Sequence, residues 1–329
     1  MNATGIAADV LNIDATAEIE RIAARMRSIV ADTLKRRGLV VAISGGIDSS
    51  CCAALATRAV GAARVIGLIM PERDSADSSA ERAHSLARHL GIEVVTQNIA
   101  PTLEAIGCYR WRDEAIRRAL PAYGEGWRMK IVISGGINGQ VNHFRLIASD
   151  PDGAVSDLRL GPREYLQIVA ATNFKQRIRK TLEYFHADRL NYAVTGTPNR
   201  LEYDQGFFVK NGDGSADVKP IAHLYKSQVY ALTRAMELPA DVVAAEPTTD
   251  TYSLPQGQDE FYFALPYQQM DLAVWALNHD QPASVLAESL GISEQQAEWV
   301  YADIRAKRRT TRYLHLRPQL MSELPGFEH

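Results

Sequence analysis

Residues 39–43, LVVAI, form a short apolar run with no polar alternation, and the run breaks at once into Ser44-Gly45-Gly46. A strand that shows no alternation is covered on both faces, which is the condition of a parallel sheet. The spacing before it (Ile19, Ile22, Ala23, Met26, Ile29, Val30, Leu34) predicts a helix over residues 14–37, with Gly38 as its C-cap. After it the rhythm repeats: helix 49–60, strand 65–70, helix 79–90, strand 92–99, then helix 165–187 and strand 192–195. Such alternation predicts an α/β fold, an open twisted parallel sheet with helices on both faces and right-handed crossovers. From Lys226 onward the pattern is mostly helical. Residues 109–163 interrupt the rhythm with Pro121 and a high glycine density, and read as an inserted, β-containing segment, a hairpin on the surface. The whole of 1–329 is taken as one domain carrying that insertion.

Composition narrows the class. The chain has 46% apolar residues, enough for a large core, and a net charge of −3, so any phosphate-binding charge must be local. No apolar run approaches the roughly 20 residues of a membrane span. Acidic residues near the start (Asp9, Asp14, Glu18, Glu20) argue against a signal peptide. Three cysteines, Cys51 and Cys52 adjacent, make neither a disulfide framework nor a CxxC pair. A cytoplasmic protein with no membrane and no nucleic-acid partner is expected.

A strand ending in Ser44-Gly45-Gly46 and restarting as a helix near Asp48 makes a tight loop at a helix N-terminus. Glycines let backbone approach a ligand, and unpaired N–H groups with the helix dipole favour phosphate. Ser44, Ser49 and Ser50 add hydroxyls, and ligands of open α/β sheets bind at the carboxyl ends of strands. A bare Ser-Gly-Gly would be a plain turn with Asp48 as a cap. Indeed a near-echo, ISGGINGQ at 133–140, has Asn138, Gly139 and Gln140 where the first has Asp48, Ser49 and Ser50. No Gly-Lys-Ser/Thr occurs in the chain, so this is not a Walker A loop. An aspartate beside phosphates calls for a divalent cation between them and for positive charge from elsewhere. The stretch SGGIDSS resembles the signature of the ATP pyrophosphatase (PP-loop) enzymes, which adenylate a carboxyl, carbonyl or amide oxygen.

A downstream block narrows the resemblance. VTGTPNRLEYDQGFFVKNGDGSADVKPIAHLYKSQVYAL (194–232) and EPTTD (246–250), with NFKQRIR at 173–179, are similar to the ammonia-dependent NAD synthetases. That likeness implies an adenine nucleotide alpha hydrolase-like, Rossmann-like fold. It implies ATP and Mg²⁺, deamido-NAD and ammonia as substrates, and a homodimer. Carried over by position, Ser44, Gly45, Gly46, Ile47, Asp48, Ser49, Ser50, Thr197, Lys226 and Thr248 would contact ATP. Asp48 and Glu202 would hold Mg²⁺. Arg177, Lys210 and Asp217 would contact deamido-NAD, with Phe207 stacked on its pyridine ring. The residues agree in part, since Asp48 and Glu202 follow strands that could be neighbours, and Lys210 and Lys226 could supply the charge the loop lacks. Each also has a plain alternative: Glu202 a helix-start acid, Lys226 a surface cation, Phe207 core, and Arg177 with Lys175, Arg179 and Lys180 a solvated basic face.

The implied chemistry is adenylation of the nicotinate carboxylate with loss of pyrophosphate, then displacement of AMP by ammonia. Ammonium must give up a proton, for which Asp213 and Asp217 are candidates. Asp213 sits in a strong Asp-Gly turn signal, so the turn is preferred for it and the site for Asp217. Asn2 where a nucleophilic cysteine would stand, and Cys108 without an elbow, argue against a glutamine-hydrolysing module. The family's C-terminal His-Lys pair falls on Thr310 and Thr311, with Arg308, Arg309 or Arg312 as substitutes for phosphate contact. A rival reading takes 284–309 as a DNA-binding helix-turn-helix with Gly291 at the turn. Its recognition helix would begin with Glu294 and Glu298, which phosphates repel. Another PP-loop amide ligase acting on a different carboxylate is the alternative among enzymes.

Overall fold

The structure is a computed structural model that describes residues 6–7, 9–134, 143–245, 251–257, 262–263 and 265–322. Helix α1 (Ala15–Ser28) is capped by the Asp14 side chain and widens into a π-helical turn over Ile29–Thr33. It ends well before Gly38: Lys35 takes the left-handed conformation, φ 54°. Gly38 instead lies where a Cβ would meet the Arg64 carbonyl at 2.3 Å, so it serves close packing rather than capping.

Next come β1 (Leu39–Ala42), α2 (Ile47–Val60), β2 (Val65–Ile69), α3 (Asp77–Leu90) and β3 (Glu93–Thr96). Two helices follow, α4 (Ala100–Ala105) and α5 (Cys108–Ala119). Strands β4 (Arg128–Ser134), β5 (His143–Ser149) and β6 (Val155–Arg159) form an antiparallel sheet in that order. The long helix α6 (Pro162–Leu190) returns the chain to β7 (Ala193–Thr195). The parallel sheet has the order β3-β2-β1-β7, with Leu39 beside both Val65 and Ala193. Leu39, Val41 and Ile43 pack on one side with α1 and α2. Val40 and Val194 pack on the other with residues of α4, α5 and α6. Both faces are covered, which is why the strands read as continuous apolar runs.

The chain then forms α7 (Arg200–Gln205), α8 (Lys226–Ala235), α9 (Ala240–Val243), α10 (Tyr267–Asn278), α11 (Ala283–Leu290) and α12 (Glu294–His315). A second core of Leu201, Met270, Val274, Leu286, Val300 and Ile304 holds α7 and α10 to α12 together. The segment 109–163 is more than a hairpin. It opens inside α5, whose buried positions (Cys108, Tyr109, Arg112, Ala115, Ile116) fit a helix but include an arginine, which masks the apolar period. Among the described residues no helix is long and apolar enough to cross a membrane.

Candidate active site

The carboxyl ends of β1, β2 and β7 open on a cavity of 740 Å³. Ser44, Gly46, Ile47, Asp48 and Ser49 form one wall. Helix α2 starts at Ile47 with Gly46 as N-cap and no side-chain cap, so its first N–H groups face the loop. Gly45 is held at φ +77° with Ser79 O only 2.3 Å from where a Cβ would sit, so only glycine makes this turn. The Ser49 and Ser50 hydroxyls donate back to Gly46 O, at 3.0 and 2.8 Å, and fix the loop. Gly45 and Ser50 thus shape the loop without lining the cavity.

Asp48 lies in the first turn of α2, and its Oδ2 accepts from the ammonium of Lys226 at the start of α8. Its Oδ1 accepts from Asn199 Nδ2 at 3.1 Å. Asn199 is also the N-cap of α7: its Oδ1 accepts from Leu201 N (2.9 Å) and Glu202 N (3.2 Å), while Glu202 Oε2 accepts from Asn199 N at 3.1 Å. One residue therefore aligns both carboxylates, Asp48 through its side-chain amide and Glu202 through its backbone N–H. The register that pairs Val41 with Thr195 makes β1 and β7 neighbours, and that adjacency brings Asp48 and Glu202 together. Burial, then the nearby Asp48 charge, pushes the Glu202 carboxyl up to about 8. For Lys226 burial works the other way, but Asp48 and Glu202 override it and hold its pKa above the ordinary lysine value. Asp271 from α10 accepts from Lys226 N and Ser227 N at 3.1 and 2.7 Å and so anchors the start of α8.

Farther along, Thr197, Arg177, Phe207, Lys210 and Asp213 line the same cavity. Phe207 stacks on Tyr262 with centroids 4.7 Å apart. Arg177 Nε donates to Lys210 O at 3.3 Å. Lys210 Nζ donates to Tyr313 O at 2.8 Å, at the carbonyl end of α12, where a cation is favoured. It is thus held away from the phosphate loop, and Arg82 stands nearer: its Nε donates to Gly45 O at 3.2 Å. Asp217 does not line the cavity. Its carboxylate accepts from Val194 N at 2.8 Å and from the Tyr184 hydroxyl at 3.4 Å, pinning the chain to β7. Asp213 does line it, with Oδ1 accepting from Val209 N at 2.8 Å and burial raising its pKa. Of the two, Asp213 is both turn residue and cavity residue.

Of the basic residues whose plain alternative was a solvated face, Arg177 is exposed, but the two lysines are not. Lys175 and Lys180 are buried, Lys175 against Glu72 and Asp74 and Lys180 against Glu183 at 2.6 Å. At the other end Thr310 and Thr311 line the cavity together with Lys307, whereas Arg308, Arg309 and Arg312 do not. Arg308 is engaged by Asp204 and Asn278. Gly206, at φ +72°, lets Thr311 come within 2.3 Å of where its Cβ would be, so α12 closes directly over the Gly-Phe-Phe turn. Asp303, Ala306, Lys307, Thr310, Thr311, Tyr313 and Leu314 of α12 face the cavity. Cys108 donates to Ala171 O at 3.2 Å, and burial pushes its thiol up to about 11, as suits packing. Thr248 and the echo positions Asn138, Gly139 and Gln140 lie outside the described residues. Asn199 and Arg82 were missed from the sequence. An Asn-x-x-Glu capping box was the available signal for Asn199.

A family model described as NAD synthase matches residues 18–131 and 149–312. An NH(3)-dependent NAD(+) synthetase of Rhizobium meliloti (strain 1021) is 54% identical over 322 residues, covering 98% of this chain and 96% of the relative. One from Mesorhizobium japonicum is also 54% identical, over 96% of this chain and 99% of the relative. Among solved structures, an NH3-dependent NAD synthetase from Campylobacter jejuni in complex with the nitrate ion superposes with a TM-score of 0.62 at 21% identity, covering 94% of this chain and 100% of that one. At that identity the likeness is one of fold.

Proposed function

The chain belongs to the NAD synthase family, and from that premise we propose that it amidates deamido-NAD with ammonia and ATP to give NAD⁺, AMP and pyrophosphate. The observation that carries this reading is the Asp48–Lys226–Glu202 cluster beside a side-chain-free helix N-terminus.

In the first step a carboxylate oxygen of deamido-NAD attacks the α-phosphorus of ATP. The bond to the β-phosphate oxygen breaks, and pyrophosphate leaves with its electron pair. The N–H groups of α2, with Lys226 and Arg82, receive the negative charge that builds on the leaving group. In the second step ammonia attacks the acyl carbon, AMP leaves, and the nitrogen sheds a proton. Asp213 lines the cavity, and burial raises its affinity for a proton, which suits it to accept that one. Arg177 and Lys210 hold the dinucleotide, and Phe207 offers its ring to the pyridine.

Asp48 and Glu202 fit a hard divalent cation such as Mg²⁺, because both carboxylates line the cavity close enough together for the Asp48 charge to add to burial in raising Glu202. Among the described residues no group of three or more His, Cys, Asp or Glu side chains forms a complete cage, so phosphate oxygens and water would complete the shell. When bound, the cation neutralises phosphate charge.

Residues 1–329 act as a single domain with an insertion at 109–163, in the cytoplasm, where the buried unpaired Cys51, Cys52 and Cys108 stay reduced. Exposed Trp111, Leu166 and Phe185 on α5 and α6 support a homodimer, which sedimentation would register at twice the 36.3 kDa chain mass. Incubation with ATP, Mg²⁺, ammonium and deamido-NAD should give NAD⁺ and pyrophosphate in equal amounts. Turnover of another carboxylate with no NAD⁺ formed would overturn the reading.

A further inference from the structure

The family match leaves out residues 132–148, and that gap covers the end of β4 and much of β5. On the buried face of this hairpin, Met129 pairs with Ala148 and Ile131 with Leu146, and all four are core. The next pair on that face is Ile133 with Phe144, and here the face leaves the core and enters the cavity. The Phe144 ring stacks on Tyr165 with centroids 3.7 Å apart and planes 11° from parallel. Tyr165 opens a stripe of α6 (Tyr165, Val169, Thr172, Gln176, Lys180, Glu183) that lines the cavity along its length. From Tyr165 to Glu183 the helix rises roughly 27 Å. One end of this stripe is therefore aromatic and meets the insert through Phe144, while the other is charged.

We propose that Ile133 and Phe144, backed by Tyr165, form a wall on which the adenine ring of a nucleotide substrate packs, so that the insert sets part of the substrate specificity. The proposal rests on the function given above. Phosphate charge has its partners at the N-terminus of α2, Lys226 and Arg82, whereas this end offers apolar carbon and a flat ring pair, the surface on which a base stacks regardless of its hydrogen-bonding edge. Lys175, farther along the same helix, is already held by Glu72, Asp74 and the Thr251 carbonyl, which leaves the rings to supply the contact. Both ATP and deamido-NAD carry adenine, and kinetics separate the two sources.

The test measures KM for ATP and for deamido-NAD, kcat and thermal midpoint in the full chain and in Phe144→Ala, Phe144→Leu and Phe144→Tyr. Loss of the ring in the Ala and Leu variants is expected to raise one KM roughly tenfold with kcat within about threefold, and the Tyr variant, which keeps the ring, to stay near wild type. A rise confined to ATP assigns the wall to its adenine, and a rise confined to deamido-NAD assigns it to the dinucleotide. The Leu variant decides the matter if the Ala variant proves unstable. Both KM values unchanged, a fall in kcat alone, or Leu and Tyr variants behaving alike would overturn the wall. If the wild-type chain makes no NAD⁺, the functional reading fails separately. Calorimetric ATP and deamido-NAD affinities of the same four proteins then decide the wall by themselves.

Discussion

Two buried ionic clusters border the same cavity, and they differ in charge balance. Around Lys175 the cations and anions compensate. Its ammonium donates to Glu72, Asp74 and the Thr251 carbonyl at 2.8, 2.7 and 2.8 Å, and Arg112 adds a second cation to Asp74 at 2.7 Å. Although burial alone would raise the Asp74 carboxyl, Lys175 and Arg112 hold it below its ordinary value. The Tyr109 hydroxyl donates to the second oxygen of Glu72 at 2.8 Å. Around Asp48 the count is two carboxylates to one ammonium, and Glu202 is pushed up to about 8. A compensated cluster ties the 71–74 loop, α5 and α6 into one scaffold. In the Asp48 cluster burial and the Asp48 charge together raise Glu202, so a perturbed titratable group facing the cavity, rather than ion pairing as such, distinguishes it from the scaffold.

The contrast breaks most sharply at Asp48. Asp48→Asn is expected to slow pyrophosphate release about a thousandfold while leaving the thermal midpoint nearly unchanged. A large loss of stability instead would make this cluster structural as well. Lys175→Met should do the reverse. Removing one partner strands Glu72 and Asp74 in the interior, at a cost of about 3–5 kcal/mol in urea unfolding, and adding Asp74→Asn should recover part of it.

A pH series sharpens the comparison further. Glu202 titrates higher folded than unfolded, so the folded chain binds the extra proton. The stability this contributes is fully present below the unfolded value of 4.5 and is lost as pH rises through about 8. Wild type minus Glu202→Gln should show this loss, on the order of 2–4 kcal/mol across the window, by chemical denaturation at fixed low salt. Asp74, being depressed, should show no such decline. The smallest effect is expected at the echo of the phosphate loop, where Asn138→Ala should leave turnover within about twofold, because no acid stands there. A loss comparable to that of Asp48→Asn would mean that the two Ser-Gly-Gly stretches act together.

Much of this was legible in the residues. The unalternated run 39–43 announced a doubly covered parallel strand, and the glycines and serines after it announced the tight turn into α2 at the cavity. Lys226 and Glu202 came from the fixed order of a long motif rather than from local physics, since a lysine before a helix reads the same at a surface as in an interior. Arg112 shows the opposite failure: a charged residue at a buried helical position hid α5 among apparent loops. Asp213 and Asp217 were ranked by turn propensity, which says nothing about which face of the turn meets the cavity.

The sequence by itself determined the periodicities, the loop and the family, because strand and helix patterns, turn chemistry and motif order are written along the chain. Which charges meet was decided only in three dimensions. Asp48 and Glu202 lie far apart in the chain and become neighbours because β1 pairs with β7 and Asn199 hydrogen-bonds to both. Lys175 and Lys180 follow the same helical period as solvated lysines, and only the packing of α6 against the sheet and loops turns them inward. Electrostatic roles depend on burial and on partners from distant segments, and neither quantity has a local signature.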